Sequence, residues 1–293
     1  MLALRHGSEL EFCNAVDRTR AIAECCTADA AGDTILPLIE SLDEVAHTIL
    51  EKARVRASAA GVAATTHVLD GSAPRAIVER QQTWGADAIV LGTKGKRGLE
   101  LFAMGSTADG VLRRADVPVF VVPPGVGEMS APFDRLLVAV DDSDPSDAAI
   151  AFGIAFAQAE GSRLVFCGVV ETKDLESNSA LFALDPGPTL IELREATESL
   201  VTRAEERACE SDVVAERLIV DGDPKAVIPR VAQTEGVGAI VIGTHGRRGL
   251  RRWLVGSVAE TVVQQSSVPV VVVRGLRRFD AARAKGSIQG SIR

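Results

Sequence analysis

The chain has 293 residues, 46% of them hydrophobic and 25% charged, with a mean hydropathy of +0.16. That length and composition suit two domains of ordinary size and exclude a single small module or a mainly disordered chain. A net charge of −8 and a pI near 5.2 exclude general affinity for nucleic acid or anionic membrane, so any phosphate has to be held locally.

Arg5 and His6 interrupt the apolar start, which argues against a signal peptide, and no apolar run approaches the roughly 18–20 residues of a membrane span. Cys13, Cys25, Cys26, Cys167 and Cys209 form no CxxC pair and no array with metal spacing, so neither a disulfide framework nor a metal site is expected. A cytoplasmic protein is the expectation.

Aligning Gly7-Ser8-Glu9 with Asp142-Ser143-Asp144 leaves Met1–Arg5 for a first strand and puts His6 where the later half has Asp141. Ser8 and Glu11 have the spacing of a capping box, which predicts a helix start there. Thr27–Asp33 lacks the apolar run that a second strand requires, so the first two strands of this half read as degenerate. At an offset of 151, residues 71–122 match 222–273 with 23 identities in 52 positions, an internal duplication one domain long. Pro123–Pro132 carries Pro and Gly that break both helix and sheet, and reads as a linker.

The second half gives the fuller pattern. Leu136–Val140 is an unbroken apolar run, as in a strand buried on both faces, and a helix is predicted from Asp144-Pro145 to Gly161. Leu164–Val170 follows as strand two, then a charged helix near Glu192–Cys209 and strand three at Ala215–Val220. A short helix after Pro224, strand four at Ala239–Ile242, a helix from Ser257 and strand five at Val268–Val273 complete it. Alternating strands and helices predict an α/β fold with a parallel sheet, whose ligands bind at the carboxyl ends of strands.

After strand four comes Gly243-Thr244-His245-Gly246, nine residues, then Gly256-Ser257; the first half has Gly92-Thr93-Lys94-Gly95, nine residues, then Gly105-Ser106. Glycines at a strand-to-helix junction admit an anion to backbone amides, and a helix start offers free N–H groups. The spacing is neither that of a P-loop nor that of a dinucleotide fingerprint. Ser257 with Glu260 also has capping-box spacing.

This G-x2-G-x9-G-S motif, with Val-Pro-Val in the last strand and Val-Ala-Val-Asp in the first, resembles the universal stress protein family across nearly the whole chain. The resemblance implies two tandem five-stranded Rossmann-like domains of the adenine nucleotide alpha hydrolase-like kind, at 1–123 and 133–276. It leaves a linker at 124–132 and a basic tail at 277–293, which is expected to be disordered. It implies a stress-response protein binding ATP or a related adenine nucleotide, with or without Mg2+, as a regulatory or interaction module. Carried over to this chain, the nucleotide residues are Ala139, Val140, Asp141, Val169, Ile242, Gly243, His245, Gly246, Arg247, Gly256, Ser257 and Val258. The first half keeps a weaker loop in Gly92, Thr93, Lys94, Gly95, Gly105, Ser106 and Thr107, without the adenine-side carboxylate. The resemblance also implies pairing of the two domains through Val117–Val122 and Val268–Val273, and a homodimer through the last strands. No nucleophile–base set can be read at the loop, so no catalytic residue is assigned and slow hydrolysis or autophosphorylation is the most that is expected. The alternatives are a nucleotide-free interaction scaffold and, less favoured, a slow ATPase or phosphotransfer enzyme.

Overall fold

The computed structural model describes Ala3 and residues 7–27, 35–93, 104–126, 133–172, 189–244 and 255–274. Contacts divide the chain into a compact unit ending at Ala86 and a second beginning at Asp87. The division falls ahead of the Pro/Gly stretch at 123–132, because the last two strands of the first half are built into the sheet of the second.

The first unit holds β1 (Leu10–Val16), α1 (Arg18–Thr27), α2 (Ile35–Ala59), β2 (Ala64–Asp70) and α3 (Ala73–Trp84). β1 and β2 pair in parallel from Leu10↔Ala64 to Val16↔Asp70, with Ala46, Leu50 and Ala57 of α2 buried. Arg18 ties the unit together by reaching Asp43 of α2 at 2.6 Å and Asp70 at the end of β2 at 3.0 Å.

β1 corrects the expectation for this half. Leu10-Glu11-Phe12-Cys13 and Val16 align with Leu164-Val165-Phe166-Cys167 and Val170 at an offset of 154, so strand two lies at Leu10–Val16 and not near Thr27–Asp33. Glu11 stands in a strand, hence no capping box forms with Ser8, and the alignment of His6 with Asp141 loses its basis; His6 itself lies outside the described residues. Among the described residues the first copy has no counterpart of strand one or of its helix.

The second unit is a seven-stranded sheet in the order β3-β4-β9-β8-β5-β6-β7. The strands are β3 (Ile89–Gly92), β4 (Val119–Val122), β5 (Arg135–Val140), β6 (Arg163–Val170), β7 (Ala215–Asp221), β8 (Ala239–Gly243) and β9 (Val270–Val273). The helices are α4 (Ser106–Leu112), α5 (Asp144–Glu160), α6 (Leu190–Cys209), α7 (Pro224–Thr234) and α8 (Ser257–Gln265). Every pairing is parallel except β4 with β9, where Val119↔Val272, Phe120↔Val271 and Val121↔Val270 join the copies within the chain. Both edges of β4 and of β9 are thereby occupied, so the last strands are spent on intrachain pairing.

β5 is central, with Leu136, Leu137 and Val138 at most 1% exposed, as befits a strand covered on both faces. α5 starts where Ser143 accepts the Ser146 N–H at 3.3 Å, and ends at Gly161, whose φ of 72° is the left-handed conformation that glycine adopts without strain. Phe120 of β4 packs edge-on against Phe133 and Phe152 and beside Phe156, with centroids 6.2–6.5 Å apart, so a side chain of the first copy sits in the core of the second. No helix among the described residues is long and apolar enough to cross a membrane.

One substitution between the copies is legible as a swap of forces. Val165 and Val231, buried on β6 and α7, correspond to Glu11 and Arg80, whose guanidinium binds the carboxylate through two contacts of 2.6 Å. Glu11 is 5% exposed, and the hydrogen bonds from Arg80 hold its carboxyl below the usual value of 4.5. A desolvated pair of this kind is weak support compared with apolar packing, whereas one half of it alone is costly. Arg80→Val is therefore expected to lower the stability of the first unit by leaving the Glu11 carboxylate unpaired, and Glu11→Val with Arg80→Val together to be neutral or stabilising. Because the folded carboxyl is depressed, the contribution of the pair is full above about pH 4.5 and is lost as pH falls through the folded value. Chemical denaturation of both variants at pH 7 and pH 3 checks this, the single-variant deficit shrinking in acid.

Candidate functional site

The carboxyl ends of β5, β6 and β8 meet the starts of α5 and α8. β5 delivers Ala139 and Val140, both buried, and then Asp141, half-buried at the strand end. The Asp141 Oδ1 accepts from the backbone N–H of Ser143 at 3.0 Å and from its hydroxyl at 2.5 Å, while the Asp141 N–H donates to Ser146 Oγ at 2.9 Å. Among the described residues Oδ2 has no hydrogen-bond partner, which leaves one carboxylate oxygen to accept from a hydroxyl or amino group. The turn fixes the carboxylate by a local hydrogen-bond ring, a common use of Asp after a strand. Val169 is half-buried near the end of the neighbouring β6.

Gly243 ends β8, and its reason for being glycine is packing. A Cβ there would lie 2.6 Å from the carbonyl carbon of Pro145, 2.7 Å from its oxygen and 2.8 Å from its Cβ. The start of α5 is pressed against the end of β8, which brings the β5 and β8 ends of the site together. Ile242 beside it is buried.

The loop that follows is clamped at its two ends in the same way in both copies. The Gly256 N–H donates to the Thr244 carbonyl at 2.6 Å, and the Gly105 N–H to the Thr93 carbonyl at 2.8 Å. His245, Gly246 and Arg247 lie outside the described residues, as do Lys94 and Gly95. α8 then begins on Gly256 with no side chain accepting its first-turn N–H groups. Ser143, Thr189 and Asp223 do cap the other three helices described in the second copy. Ser257 is the first helical residue and Glu260 the fourth, so the expected capping box is absent and Glu260 takes a hydrogen bond from Gln264 at 3.3 Å. Ser257 is exposed and Val258 half-buried, at a helix start that carries positive dipole charge.

In the first copy Gly105 caps α4 with nearly the same dihedrals, φ −63° and ψ 143° against −64° and 146°, ahead of Ser106 and Thr107. The Thr93 hydroxyl is buried and has no hydrogen-bond partner. No group of three or more metal-ligating side chains occurs among the described residues. The Cys167 thiol, 1% exposed, is pushed up to about 12 by burial and by the Glu235 charge, which suits an inert core cysteine.

Geometry and duplication together define a tandem α/β protein with a glycine-bounded strand-to-helix loop in each copy. The chain belongs to the universal stress protein family, whose sequence pattern matches residues 1–123 and 132–274. Universal stress protein YxiE of Bacillus subtilis is 31% identical over 147 residues, 48% of this chain and 99% of that protein. A universal stress protein of Mycolicibacterium smegmatis is 26% identical over 266 residues, 86% of this chain and 85% of its own length. The crystal structure of a universal stress protein from Archaeoglobus fulgidus DSM 4304 has a TM-score of 0.61 at 22% identity, over 82% of this chain and 79% of that one, a likeness of fold.

Gly243→Ala is expected to cost about 1–3 kcal/mol by driving a methyl into the Pro145 backbone. Thermal and denaturant unfolding measure it. Unchanged stability would mean that the glycine is kept for a ligand's approach alone.

Proposed function

We propose that the chain is a stress-response module that binds ATP or a close adenine nucleotide, chiefly in its second copy, and that occupancy sets its contacts with partners. The observation that carries the reading is the uncapped start of α8 beside the Asp141 turn, at the carboxyl ends of a parallel sheet. In this reading Oδ2 of Asp141 accepts from the ribose or base, Ala139, Val140 and Val169 line the adenine side, and the amides at Gly256, Ser257 and Val258 receive phosphate. His245, Gly246 and Arg247 complete the loop, and Mg2+ accompanies the phosphates where they need further neutralisation. The residues fit such a ligand in character: acceptor at one end, apolar wall between, free N–H donors at the other. Family membership supports the same ligand class. The module binds rather than turns over, and its first copy lacks an Asp141 counterpart among the described residues, so that its loop at Gly92, Thr93, Gly105, Ser106 and Thr107 is weaker.

The test is release of nucleotide from gently purified, denatured protein, quantified by chromatography and mass spectrometry, followed by titration of stripped protein with ATP. About one adenine nucleotide per chain is expected, with Asp141→Ala weakening binding roughly tenfold, as loss of a charge-assisted hydrogen bond does. Two per chain would overturn the assignment to the second copy. No binding on addition of ATP would establish a nucleotide-free scaffold instead.

A further inference from the structure

A local two-fold axis runs through the seven-stranded sheet. β4 and β9 pair antiparallel with Phe120 opposite Val271, its own counterpart at the offset of 151, and Val119↔Val272 and Val121↔Val270 are exchanged about that pair. Because the two strands run in opposite directions, the amino end of β4, which α4 precedes, lies at the carboxyl end of β9. β9 is parallel to β8, with Gly243↔Val273, so this is also the edge of the sheet at which α8 starts.

Consecutive hydrogen bonds trace the proximity. The Gly256 N–H at the start of α8 donates to the Thr244 carbonyl at 2.6 Å, and the Thr244 N–H to the Val273 carbonyl at 3.0 Å. Arg274, the next residue, donates through Nη1 to the Arg113 carbonyl at the end of α4. The first two bonds are repeated about the axis, from Gly105 to Thr93 at 2.8 Å and from Thr93 to Val122 at 3.1 Å. The third is not, because Pro123 stands where Arg274 does and has no side-chain donor.

The charges are asymmetric in the same sense. Glu260 and Asp109 are counterparts in the first turns of α8 and α4. The helix ends set beside them differ: Arg113-Arg114 at the end of α4 have Gln264-Gln265 as counterparts at the end of α8. Arg113 bonds the Asp109 carboxylate at 2.8–2.9 Å, and its guanidinium is raised first by that hydrogen bond and in smaller part by the Glu260 charge. Glu260 takes only the uncharged Gln264 amide from its own helix, at 3.3 Å. A carboxylate in the first turn occupies the helix dipole and repels an incoming phosphate, so a guanidinium beside it matters to anion binding.

We infer that Arg113, a residue of the first copy, is a positioning residue of the second copy's polyphosphate site, offsetting the Glu260 charge at the helix start that receives the anion. The inference rests on the nucleotide reading above, and it makes the junction between the copies a source of the second copy's preference.

The experiment measures by calorimetry the affinity of the full, stripped chain for ATP and for adenosine, at low and high ionic strength. Arg113→Gln, which gives α4 the residue of its counterpart, is expected to weaken ATP binding roughly fivefold at low ionic strength, less at high, and to leave adenosine binding unchanged. Arg113→Lys keeps the affinity. Glu260→Gln strengthens ATP binding, and in its background Arg113→Gln has little effect. Unchanged ATP affinity in Arg113→Gln, an equal loss for adenosine, or an equal loss in the Glu260→Gln background would overturn the inference and leave the nucleotide reading standing. Should Arg113→Gln not fold, Glu260→Gln decides alone, and ATP affinity that it fails to raise overturns the inference. No ATP binding by the unaltered chain would overturn both.

Discussion

A parallel strand in the middle of a sheet needs a neighbour on each edge and a layer on each face, and β5 is the element through which the second copy meets that requirement. It is bonded to β6 on one side and β8 on the other, it forms much of the core floor under α5, and it ends at Asp141. Among the described residues the first copy shows no counterpart of β5. The equivalents of β6 and β7 there pair with each other as β1 and β2. Among the described residues, the equivalent of β8 has one bonded edge and an exposed Val90, and there is no counterpart of Asp141.

The antiparallel contact of β4 with β9 explains why β3 and β4 nevertheless belong to the second unit. β4 is short, but it is bonded on both edges, and Phe120 takes a place among Phe133, Phe152 and Phe156 that only the second copy provides. Arg274, just after β9, donates to the Arg113 carbonyl at the end of α4 and fastens the same junction from another point. The unit of folding is thus set by which strands share a ladder and a core, and it does not coincide with the unit of duplication.

Much of this was legible in the sequence. The offset of 151 located the loops, and unbroken apolar runs located the strands of the second copy to within a residue or two, since a doubly covered strand has no polar positions to obscure it. Strand two of the first copy was not legible for a physical reason: Glu11 interrupts its apolar run, and its charge is acceptable only because Arg80, 69 residues away, is folded against it. The correspondence was also hidden by a shift in offset to 154. The Ser-x-x-Glu spacing misled at Ser8, whose Glu11 falls in a strand, and at Ser257, which stands one position too far into a helix. The same motif forms a true reciprocal cap at Thr189 and Glu192, which bond at 2.6 and 3.2 Å. Spacing specifies which groups can reach one another; where the helix begins is decided by packing. Gly243 makes the same point, because the Pro145 backbone that excludes a side chain there is 98 residues distant in sequence and adjacent only after β5 and β8 have paired.

The structural and the ligand-directed readings of the site residues are therefore not rivals. A carboxylate that is to receive a sugar or base gains by being held still, and the Ser143 and Ser146 bonds that make Asp141 look like an ordinary turn residue are what hold it. Only Oδ1 is used, so orientation is fixed without exhausting the acceptor. Gly243 likewise seats α5 against β8 and so sets the distance between the Asp141 turn and the loop that closes on Gly256. Among the described residues of the second copy, the start of α8 has no side-chain cap, while the starts of α5, α6 and α7 are capped by Ser143, Thr189 and Asp223. Among the described residues of that copy, the start of α8 is therefore the helix end at which an anion could stand in for a side-chain cap.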